Sequence, residues 1–293
     1  MYIVRLMGGM GNQMFQYAAA RALSLRHGVD FKLDRWFLDQ KPRHASYVLR
    51  DYELGVFRIK ESFAASSEIR RHRGALGQRR HHLWASSLLN ELGIVKLYRE
   101  RTPVFDTEVL HLPDGTFLEG HFQSPKYFDD FSDQIRREFA FKQELPPHSL
   151  DLLNAIESGP SLCLNVRRTD YLATPLHGVC GAEYYKSAYA WVAAKLGHAR
   201  TYVFSDDLDW CRENLSFLPE TVFVEHEHAG AKFEHYLQLM SRCKHFIIPN
   251  STFGWWAAWL STFPEKLVVA PKLWFAGTKD TRDDMMPQQW HRM

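Results

Sequence analysis

The sequence predicts an α/β protein built from two Rossmann-like domains that face a cleft. A chain of 293 residues is too long for one ordinary core and fits two domains of roughly 100 to 200 residues each. In the second half, short β-rich runs alternate with helical patterns, which is typical of parallel strands joined by crossover helices. The first half begins in the same way, with a strand, a glycine-rich loop and a helix.

The first predicted domain covers residues 1–150. Its elements are strand Tyr2–Leu6, helix Gln13–Arg26, strand Val29–Leu33 and a strand-to-helix segment over Phe117–Phe131. The segment Glu144–Ser149 contains two prolines and is the predicted linker. The basic stretch Ser66–His82 is predicted to be a solvated surface, with contact to anionic lipid as the alternative.

The second predicted domain covers residues 151–275, and residues 276–293 form a tail that is predicted to pack back on the first domain. Strands and helices alternate along this domain, so each strand should end in a loop at the same edge of the sheet. The predicted strands are Ser161–Val166, Thr201–Ser205, Thr221–Glu225, His245–Ile248 and Leu267–Ala270.

Composition excludes several classes of protein. Lys and Arg number 36 against 34 Asp and Glu, so net charge gives no argument for binding nucleic acid. The cysteines contain no CxxC pair and are predicted to be core thiols in a reducing compartment. Because no apolar run approaches the ~18 residues of a membrane span, the protein is expected to be soluble and cytoplasmic, with peripheral contact to the inner membrane surface as an option.

The loop after the first strand contains the glycines and amides of a ligand-binding turn. A dinucleotide fingerprint would need a third glycine or alanine where this chain has a methionine, although Asp34 stands where a ribose-binding acid would lie. Gly9 and Gly11 allow close approach of a ligand, and Asn12 and Gln13 offer donors and acceptors for hydroxyl groups. The loop suits a sugar at least as well as a pyrophosphate, and a tight turn with a helix cap is the structural alternative.

Two arginines follow the strand Ser161–Val166. Arg167 and Arg168 would be costly to bury unless they meet an anion, and Asp170 follows at once. A guanidinium group can donate two parallel hydrogen bonds to a pair of phosphate oxygens, and Asp170 could orient one of the two guanidinium groups. We expect one arginine to face a ligand and the other to face the protein, with a surface ion-pair cluster as the alternative.

Acidic residues follow the strand Thr201–Ser205. Asp207 and Asp209 form a DxD pattern, which holds a divalent metal in many sugar-nucleotide enzymes. The start of a helix explains these acids better, because it favours caps and negative charge. Asp206, nearer the strand, could accept hydrogen bonds from a base or ribose, and no metal ligands are predicted.

Polar residues also follow His245–Ile248, in the run Asn250-Ser251-Thr252. Hydroxyl groups and free backbone amides at the start of a helix favour a phosphate group. The two tryptophans that follow are predicted to pack between helix and sheet. Together with the arginines, this helix start predicts a diphosphate site and therefore a nucleotide-diphosphate donor.

These residues resemble the motifs of the bacterial α-1,2-fucosyltransferases. The match spans almost the whole chain in the right order. It comprises Gly8-Gly9-Met10-Gly11-Asn12-Gln13-Met14-Phe15-Gln16-Tyr17-Ala18, Gly120-x-Phe122-Gln123-Ser124-x-Lys126-Tyr127-Phe128, Arg167-Arg168-x-Asp170-Tyr171, His177-Gly178-Val179-Cys180 with Tyr184-Tyr185, Ser205-Asp206-Asp207 and Asn250-Ser251-Thr252-Phe253-x-Trp255-Trp256.

The resemblance implies a GT-B fold, GDP-β-L-fucose as donor and a terminal galactose 2-hydroxyl as acceptor, with inversion to an α-linkage and no required cofactor or metal. The predicted acceptors are glycans of the lactose, N-acetyllactosamine or O-antigen type. The family's arginine motif usually begins with histidine, where this chain has Asn165, so a proton-transfer role is absent at that position. The resemblance assigns the following donor-binding residues: Gly9, Gly11, Asn165, Arg167, Arg168, Asp206, Asp207, Asn250, Ser251, Thr252 and Phe253.

The predicted catalytic residues are Arg167, His177 and Asp170. Arg167 would neutralise the charge that grows on the departing β-phosphate. His177 has a useful ordinary pKa for a general base, whereas Asp170 is a weaker candidate because pairing with an arginine makes a carboxylate a poor base. The predicted acceptor contacts are Asn12, Gln13, Gln123 and Tyr127, although helix core is the alternative for Tyr127.

Two other functions fit parts of the sequence. An NAD(P)-dependent oxidoreductase would use the first loop and Asp34, but it leaves the arginine pair unexplained. A non-catalytic carbohydrate-binding protein would need neither the arginines nor a phosphate-binding helix start.

Overall fold

The computed structural model describes residues 1–39, 50–73, 96–172, 178–277 and 281–293. Within them the chain forms two compact units, Met1–Lys142 and Gln143–Met293. The predicted linker belongs to the second unit, because Pro147–Ser149 forms a 3₁₀ turn that opens the helix Leu150–Ser158. Proline is well suited to such a helix start, since its missing N–H would be unpaired there in any case.

The first unit contains a parallel sheet with strand order β2-β1-β4-β3. Its strands are β1 Tyr2–Arg5, β2 Phe31–Asp34, β3 Leu97–Arg99 and β4 Phe117–Glu119, and its helices are α1 Met10–His27, α2 Ser66–Arg73 and α3 Ser132–Glu138. Gly28 ends α1 in the left-handed conformation that glycine adopts without steric cost. The predicted helix after β4 is instead a 3₁₀ turn over Pro125–Tyr127 followed by a second turn.

The second unit contains a parallel sheet with strand order β10-β9-β8-β5-β6-β7. Its strands are β5 Ser161–Val166, β6 Arg200–Ser205, β7 Thr221–Phe223, β8 His245–Ile247, β9 Val268–Ala270 and β10 His291–Arg292. Its helices are α4 Leu150–Ser158, α5 Thr169–Leu172, α6 Ala182–Leu196, α7 Leu208–Asn214, α8 Glu234–Ser241 and α9 Thr252–Leu260.

The tail differs from its prediction. Residues 276–293 were expected to pack on the first domain, but β10 pairs with β9 and so extends the sheet of the second unit. The backbone amide of Met293 also donates to the carbonyl of Ala270. An edge strand offers unpaired backbone groups, and the tail satisfies those of β9.

The cores confirm the apolar patterning of the predicted strands. β5 is buried along its whole length, as expected for a central parallel strand covered on both faces. Trp255 and Trp256 of α9 are fully buried, as predicted. Each of the four cysteines is a free thiol, and only Cys180 is partly accessible. Among the described residues, no helix is long and apolar enough to cross a bilayer.

Candidate active site

Arg167 lies directly after β5 and is held between two carboxylates. Its guanidinium group is 2.7 Å from Oδ2 of Asp170 and 3.1 Å from Oδ2 of Asp206. Burial by itself would lower the pKa of Arg167, but the two carboxylates outweigh that effect and raise the pKa. About a quarter of the side chain remains exposed (25%), so a fixed positive charge is accessible at the carboxyl edge of the sheet.

Arg168 faces the protein. Its guanidinium carbon lies 4.0 Å from the centre of the Trp210 ring, and its Nε is 3.1 Å from Oδ2 of Asp207. Only 14% of the side chain is exposed. Arg168 therefore faces the protein, as expected for one of the two arginines, and its guanidinium group is held in a stacked ion pair.

Asp206 organises the turn that carries the arginines. Its Oδ1 accepts from the backbone amide of Arg168 at 2.9 Å, and its Oδ2 accepts from the hydroxyl of Thr169 at 2.6 Å and contacts Arg167. The side chain is 8% exposed. The predicted contact of Asp206 with a base or ribose stays a prediction, and the protein itself already binds both carboxylate oxygens.

Asp207 is a helix cap, as the sequence favoured. Its Oδ1 accepts from the backbone amide of Trp210 at the start of α7, and its Oδ2 pairs with Arg168. Asp209 points away from this cluster and is 95% exposed. Asp207 thus holds the start of α7 and Arg168, and its predicted donor contact stays a prediction. No group of three metal-ligating side chains occurs among the described residues.

Tyr171 joins the arginine turn to the loop before α9. Its hydroxyl donates to the backbone carbonyl of Asn250 at 3.0 Å and also interacts with the side chain of Ser251. Burial raises the pKa of Tyr171 to about 12, so the hydroxyl stays protonated. No role was predicted for Tyr171, although its place in the arginine motif was a signal for one.

Asn250 and Ser251 are structural. Asn250 is 5% exposed and its amide donates to the carbonyl of Trp274 at 2.9 Å, so a direct donor contact does not fit. Ser251 is also 5% exposed and precedes α9 as the N-cap residue. Thr252 and Phe253 remain partly accessible in the first turn of α9, and they are the residues of this loop that could meet a ligand.

Asn165 lies inside the protein and not on its surface. It is 7% exposed, and its amide donates to the carbonyl of Phe204 on β6 at 3.1 Å. A Cβ on Gly254 would come within 2.8 Å of Oδ1 of Asn165, so α9 depends on a glycine at this approach. Asn165 therefore links β5, β6 and α9, and its burial argues against the predicted donor contact.

The glycine loop of the first unit is held by amides of α1. Gly8 has a φ of +76°, and a Cβ there would lie 2.4 Å from Nδ2 of Asn12. The amide of Gln13 donates to the carbonyls of Gly8 and Asp51, at 2.9 and 2.8 Å, and accepts from the amide of Glu53 at 3.0 Å. Gln13 is fully buried, so its predicted acceptor contact is wrong and its role is to fix the loop.

The remaining glycines differ in access. Gly9 is the N-cap residue of α1 and is partly exposed, and its carbonyl accepts from the amides of Asn12 and Gln13. Gly11 is buried in the first turn of the helix, which contradicts its predicted donor contact. Gln16, for which no role was predicted, holds the loop through both backbone groups of Met7.

Asn12 and Gln123 come together, as expected for residues of one site. The amide of Gln123 donates to Oδ1 of Asn12 at 2.8 Å, although the two residues are far apart in sequence. Asn12 is partly exposed and Gln123 is 9% exposed. The loop after β1 and the loop after β4 therefore form one polar edge at the carboxyl ends of neighbouring strands.

Tyr127 belongs to the core, the alternative that the sequence left open. The side chain is 2% exposed, and its hydroxyl accepts from the backbone amide of Asp106 at 3.0 Å. Its ring packs edge-on against Phe105 and Phe122. The predicted acceptor contact of Tyr127 is therefore wrong.

Asp34 is not available to a nucleotide. It is fully buried, and its Oδ2 accepts from Nε of Arg5 at 2.9 Å while its Oδ1 accepts from the amide of Trp36. A ribose-binding acid would need an accessible carboxylate. The oxidoreductase alternative loses the residue on which it depended. His177, the predicted general base, lies outside the described residues.

Comparisons with known proteins agree with this arrangement. Residues 82–293 match the model of Glycosyl transferase family 11. The chain is 30% identical to the Escherichia coli O-antigen biosynthesis glycosyltransferase WbnK, over 94% of this chain and 96% of that protein. It is 27% identical to an α-1,2-colitosyltransferase of Escherichia coli, over 99% and 98% of the two chains.

Two further comparisons concern fucosyltransferases. The chain is 32% identical to galactoside α-(1,2)-fucosyltransferase 1 of Bos taurus, over 87% of this chain and 64% of that protein. Its structure is similar to that of POFUT1 in complex with GDP, with a TM-score of 0.50 and 13% identity over 92% of this chain and 98% of the other. At that identity the likeness concerns the fold alone, and it confirms the GT-B type.

Proposed function

The chain belongs to glycosyl transferase family 11, and we propose that it transfers L-fucose from GDP-β-L-fucose to the 2-hydroxyl of a terminal galactose. The product would be an α-1,2-linked fucoside, formed with inversion at the anomeric carbon. The acceptor is a galactose-terminated glycan of the lactose or N-acetyllactosamine type. Relatives named for O-antigen biosynthesis and for α-(1,2)-fucosyl transfer support this choice.

The observation that carries the proposal is the accessible charge of Arg167. A guanidinium group fixed by Asp170 and Asp206 costs little reorganisation when a phosphate arrives. Thr252 and the free backbone amides in the first turn of α9 follow a neighbouring strand of the same sheet. A diphosphate is the ligand that suits a guanidinium group beside a helix N-terminus.

The proposed chemistry is an in-line displacement. The acceptor oxygen attacks the anomeric carbon as the bond between that carbon and the β-phosphate oxygen breaks. Negative charge then grows on the departing GDP. Arg167 stabilises that charge, and Thr252 and the start of α9 assist. Because these groups supply the positive charge, we infer that the reaction needs no metal ion.

The acceptor is assigned to the first unit. Asn12 and Gln123 offer amide groups whose geometry is fixed by their mutual hydrogen bond, and Gly9 precedes Asn12 as the N-cap residue of α1. His177 is proposed as the general base that removes the proton of the galactose 2-hydroxyl. Asp170 is unsuited to that task, since its carboxylate is held at 2.7 Å from Arg167.

A colitosyl donor is the second candidate. A relative that covers nearly the whole chain at 27% identity carries that name. Fucosyl and colitosyl transfer would share the residues that bind the diphosphate. The geometry of the arginines therefore does not distinguish the two activities. A competition experiment with both sugar nucleotides at equal concentration separates them by the ratio of the two products.

Product analysis tests the proposal. The protein is incubated with GDP-fucose and with lactose, N-acetyllactosamine or a β-galactoside, and the linkage of any product is assigned by NMR. We expect one fucose on the 2-hydroxyl of galactose, in the α configuration. Transfer to another hydroxyl, a β-linked product, or release of GDP without transfer to any galactoside would contradict it.

A further inference from the structure

A cavity of about 310 Å³ lies where β2 ends in the first unit. Its walls include Arg35, Trp36, Asp39, Phe63 and Ser66. This volume is at the lower end of the ~300 to 1,000 Å³ typical of ligand pockets, so the cavity suits one ring and not a whole oligosaccharide.

The charged wall of the cavity is formed by Arg35, which has three partners. The guanidinium carbon of Arg35 lies 5.1 Å from the centre of the Phe63 ring and 5.7 Å from that of Tyr52. One terminal nitrogen of the same group is 3.1 Å from Oδ1 of Asp39. Two aromatic contacts and an ion pair therefore fix the direction of an arginine that is still 42% exposed.

The aromatic wall is fixed as well. The Phe63 ring is 41% exposed, although its segment is anchored by backbone hydrogen bonds between Leu33 and Ser62 at 2.7 Å and between Ala64 and Leu33 at 2.9 Å. Tyr52 packs edge-on against the ring at 5.2 Å. Arg35 and Tyr52 each contact the ring, and the part that stays exposed is available for packing against a ligand in the cavity.

The cavity adjoins the glycine loop through the segment 50–53. Tyr52 borders Arg35 and Phe63, and the amide of the next residue, Glu53, donates to Gln13 at 3.0 Å. On the other side, Gly9 lies next to the Arg50 side chain, which is 3.7 Å from the position of a Cβ on that glycine. The cavity and the loop that carries Asn12 are thus parts of one surface of the first unit.

We propose that this cavity binds the second sugar of the acceptor, the one that carries the terminal galactose. A flat aromatic face packs on the apolar face of a pyranose ring, and the paired Arg35 and Asp39 offer donors and acceptors for its hydroxyls. This inference rests on the proposed function, because it assigns a subsite for the same acceptor. It predicts that the enzyme prefers disaccharide acceptors to a lone galactoside.

The test compares methyl β-D-galactoside with lactose as acceptors, at saturating GDP-fucose. For the wild-type protein we expect KM for lactose to be at least about tenfold lower, which is what ~1.4 kcal/mol of added binding produces. In Arg35→Ala and Phe63→Ala this advantage should disappear, while KM for the galactoside and kcat stay as in the wild type. Phe63→Tyr keeps the flat ring and should keep the preference.

The control is Arg101→Ala, which removes an exposed arginine of the same unit that does not line the cavity. Equal KM values for the two acceptors in the wild type would overturn the inference, and so would an equal loss for both in Arg35→Ala. Absence of any transfer would instead contradict the proposed function. Saturation-transfer NMR with lactose tests binding in the cavity without requiring turnover. In Phe63→Ala the saturation-transfer signal of the glucose ring should be lost.

Discussion

Arg167 and Arg168 are adjacent in sequence, yet their guanidinium groups have different partners and different exposure to solvent. Arg167 keeps a quarter of its surface accessible between two carboxylates. Arg168 stacks on Trp210 and pairs with Asp207, so its charge is used inside the unit. Their different partners decide this division, because Arg167 lies between Asp170 and Asp206 whereas Arg168 lies between Asp207 and the Trp210 ring.

Arg168→Ala should destabilise the protein more than it affects the chemistry. The substitution removes a stack and an ion pair that are shielded from water, which together contribute about 1–3 kcal/mol. Chemical denaturation measures the loss in free energy of unfolding, and Trp210→Leu should reproduce part of it. An Arg168→Ala protein that is as stable as the wild type but inactive would contradict this assignment.

At the level of elements, α9 approaches β5 closely because Gly254 has no side chain. A methyl group at this position would lie 2.8 Å from Oδ1 of Asn165 and 3.3 Å from Cβ of Ile248. The start of α9 carries Thr252, so the approach also sets the position of the proposed phosphate-binding turn. Packing of one helix on one strand thus controls part of the candidate site.

Gly254→Ala is expected to lower the free energy of unfolding by about 1–3 kcal/mol, the usual cost of overpacking a core. The substitution should also weaken binding of GDP. A double-mutant cycle with Asn165→Ala checks the cause, since the cost of Gly254→Ala should be smaller once the Asn165 amide is gone. An equal cost of Gly254→Ala with and without the Asn165→Ala substitution would show that the clash involves another residue.

Strand β8 contains a histidine that the fold keeps neutral. Nδ1 of His245 accepts a hydrogen bond from the backbone amide of Leu267 at 3.1 Å. Burial, and to a lesser extent Lys244, lowers the pKa of His245 below its ordinary 6.5. Protonation at Nδ1 would also remove the acceptor of that hydrogen bond.

The stability of the protein should therefore fall as the pH drops below about 6.5. Between the ordinary pKa of 6.5 and the lower pKa of folded His245, the unfolded chain binds a proton that the folded chain does not bind. The contribution of neutral His245 to the free energy of unfolding is therefore complete above the unfolded pKa, and it is lost as the pH falls through the folded pKa. Thermal unfolding between pH 7.5 and 5.5 measures the effect. His245→Asn keeps an acceptor that does not titrate, and it should show a smaller dependence; an unchanged dependence would refute the assignment.

On the scale of the whole molecule, each unit gathers its functional loops at the carboxyl ends of parallel strands. In the second unit, the loops after β5 and β8 supply Arg167 and Thr252. In the first, the loops after β1 and β4 supply Asn12 and Gln123. The topology places side chains together that the sequence separates widely.

GDP should stabilise the protein against heat, and NADH should not. At about 100 times its dissociation constant a ligand adds ~2.7 kcal/mol to the free energy of unfolding. We expect this shift in buffer containing EDTA, because Arg167 and the start of α9 meet the diphosphate without a metal. A shift with NADH alone would favour the oxidoreductase, and a GDP effect that requires Mg²⁺ would contradict metal-independent binding.

Much of the fold could be predicted from the sequence. The apolar run Ser161–Val166 coincides with β5, and the alternation of strands and helices after it gave the parallel sheet. The short strand β3, Leu97–Arg99, was missed because three residues carry little periodicity. The tail was misplaced because a two-residue edge strand has no sequence signal of its own.

The candidate site was predicted in its location more than in its contacts. The motifs lie in loops at the carboxyl ends of parallel strands, as predicted, but Asp206, Gln13 and Asn250 bind the protein's own backbone. Sequence shows which polar groups are present, and only the tertiary structure shows which partners satisfy them. Two carboxylates fix Arg167 and still leave it accessible, which its predicted role requires, and that role stays a prediction.

The most direct test of the account is kcat for Arg167→Ala with GDP-fucose and lactose both saturating. Loss of the group that stabilises the departing diphosphate should lower kcat by roughly 10²–10³-fold, with Arg167→Lys intermediate, while thermal unfolding shows that the variants remain folded. Near-normal turnover by a folded Arg167→Ala protein would contradict the central claim.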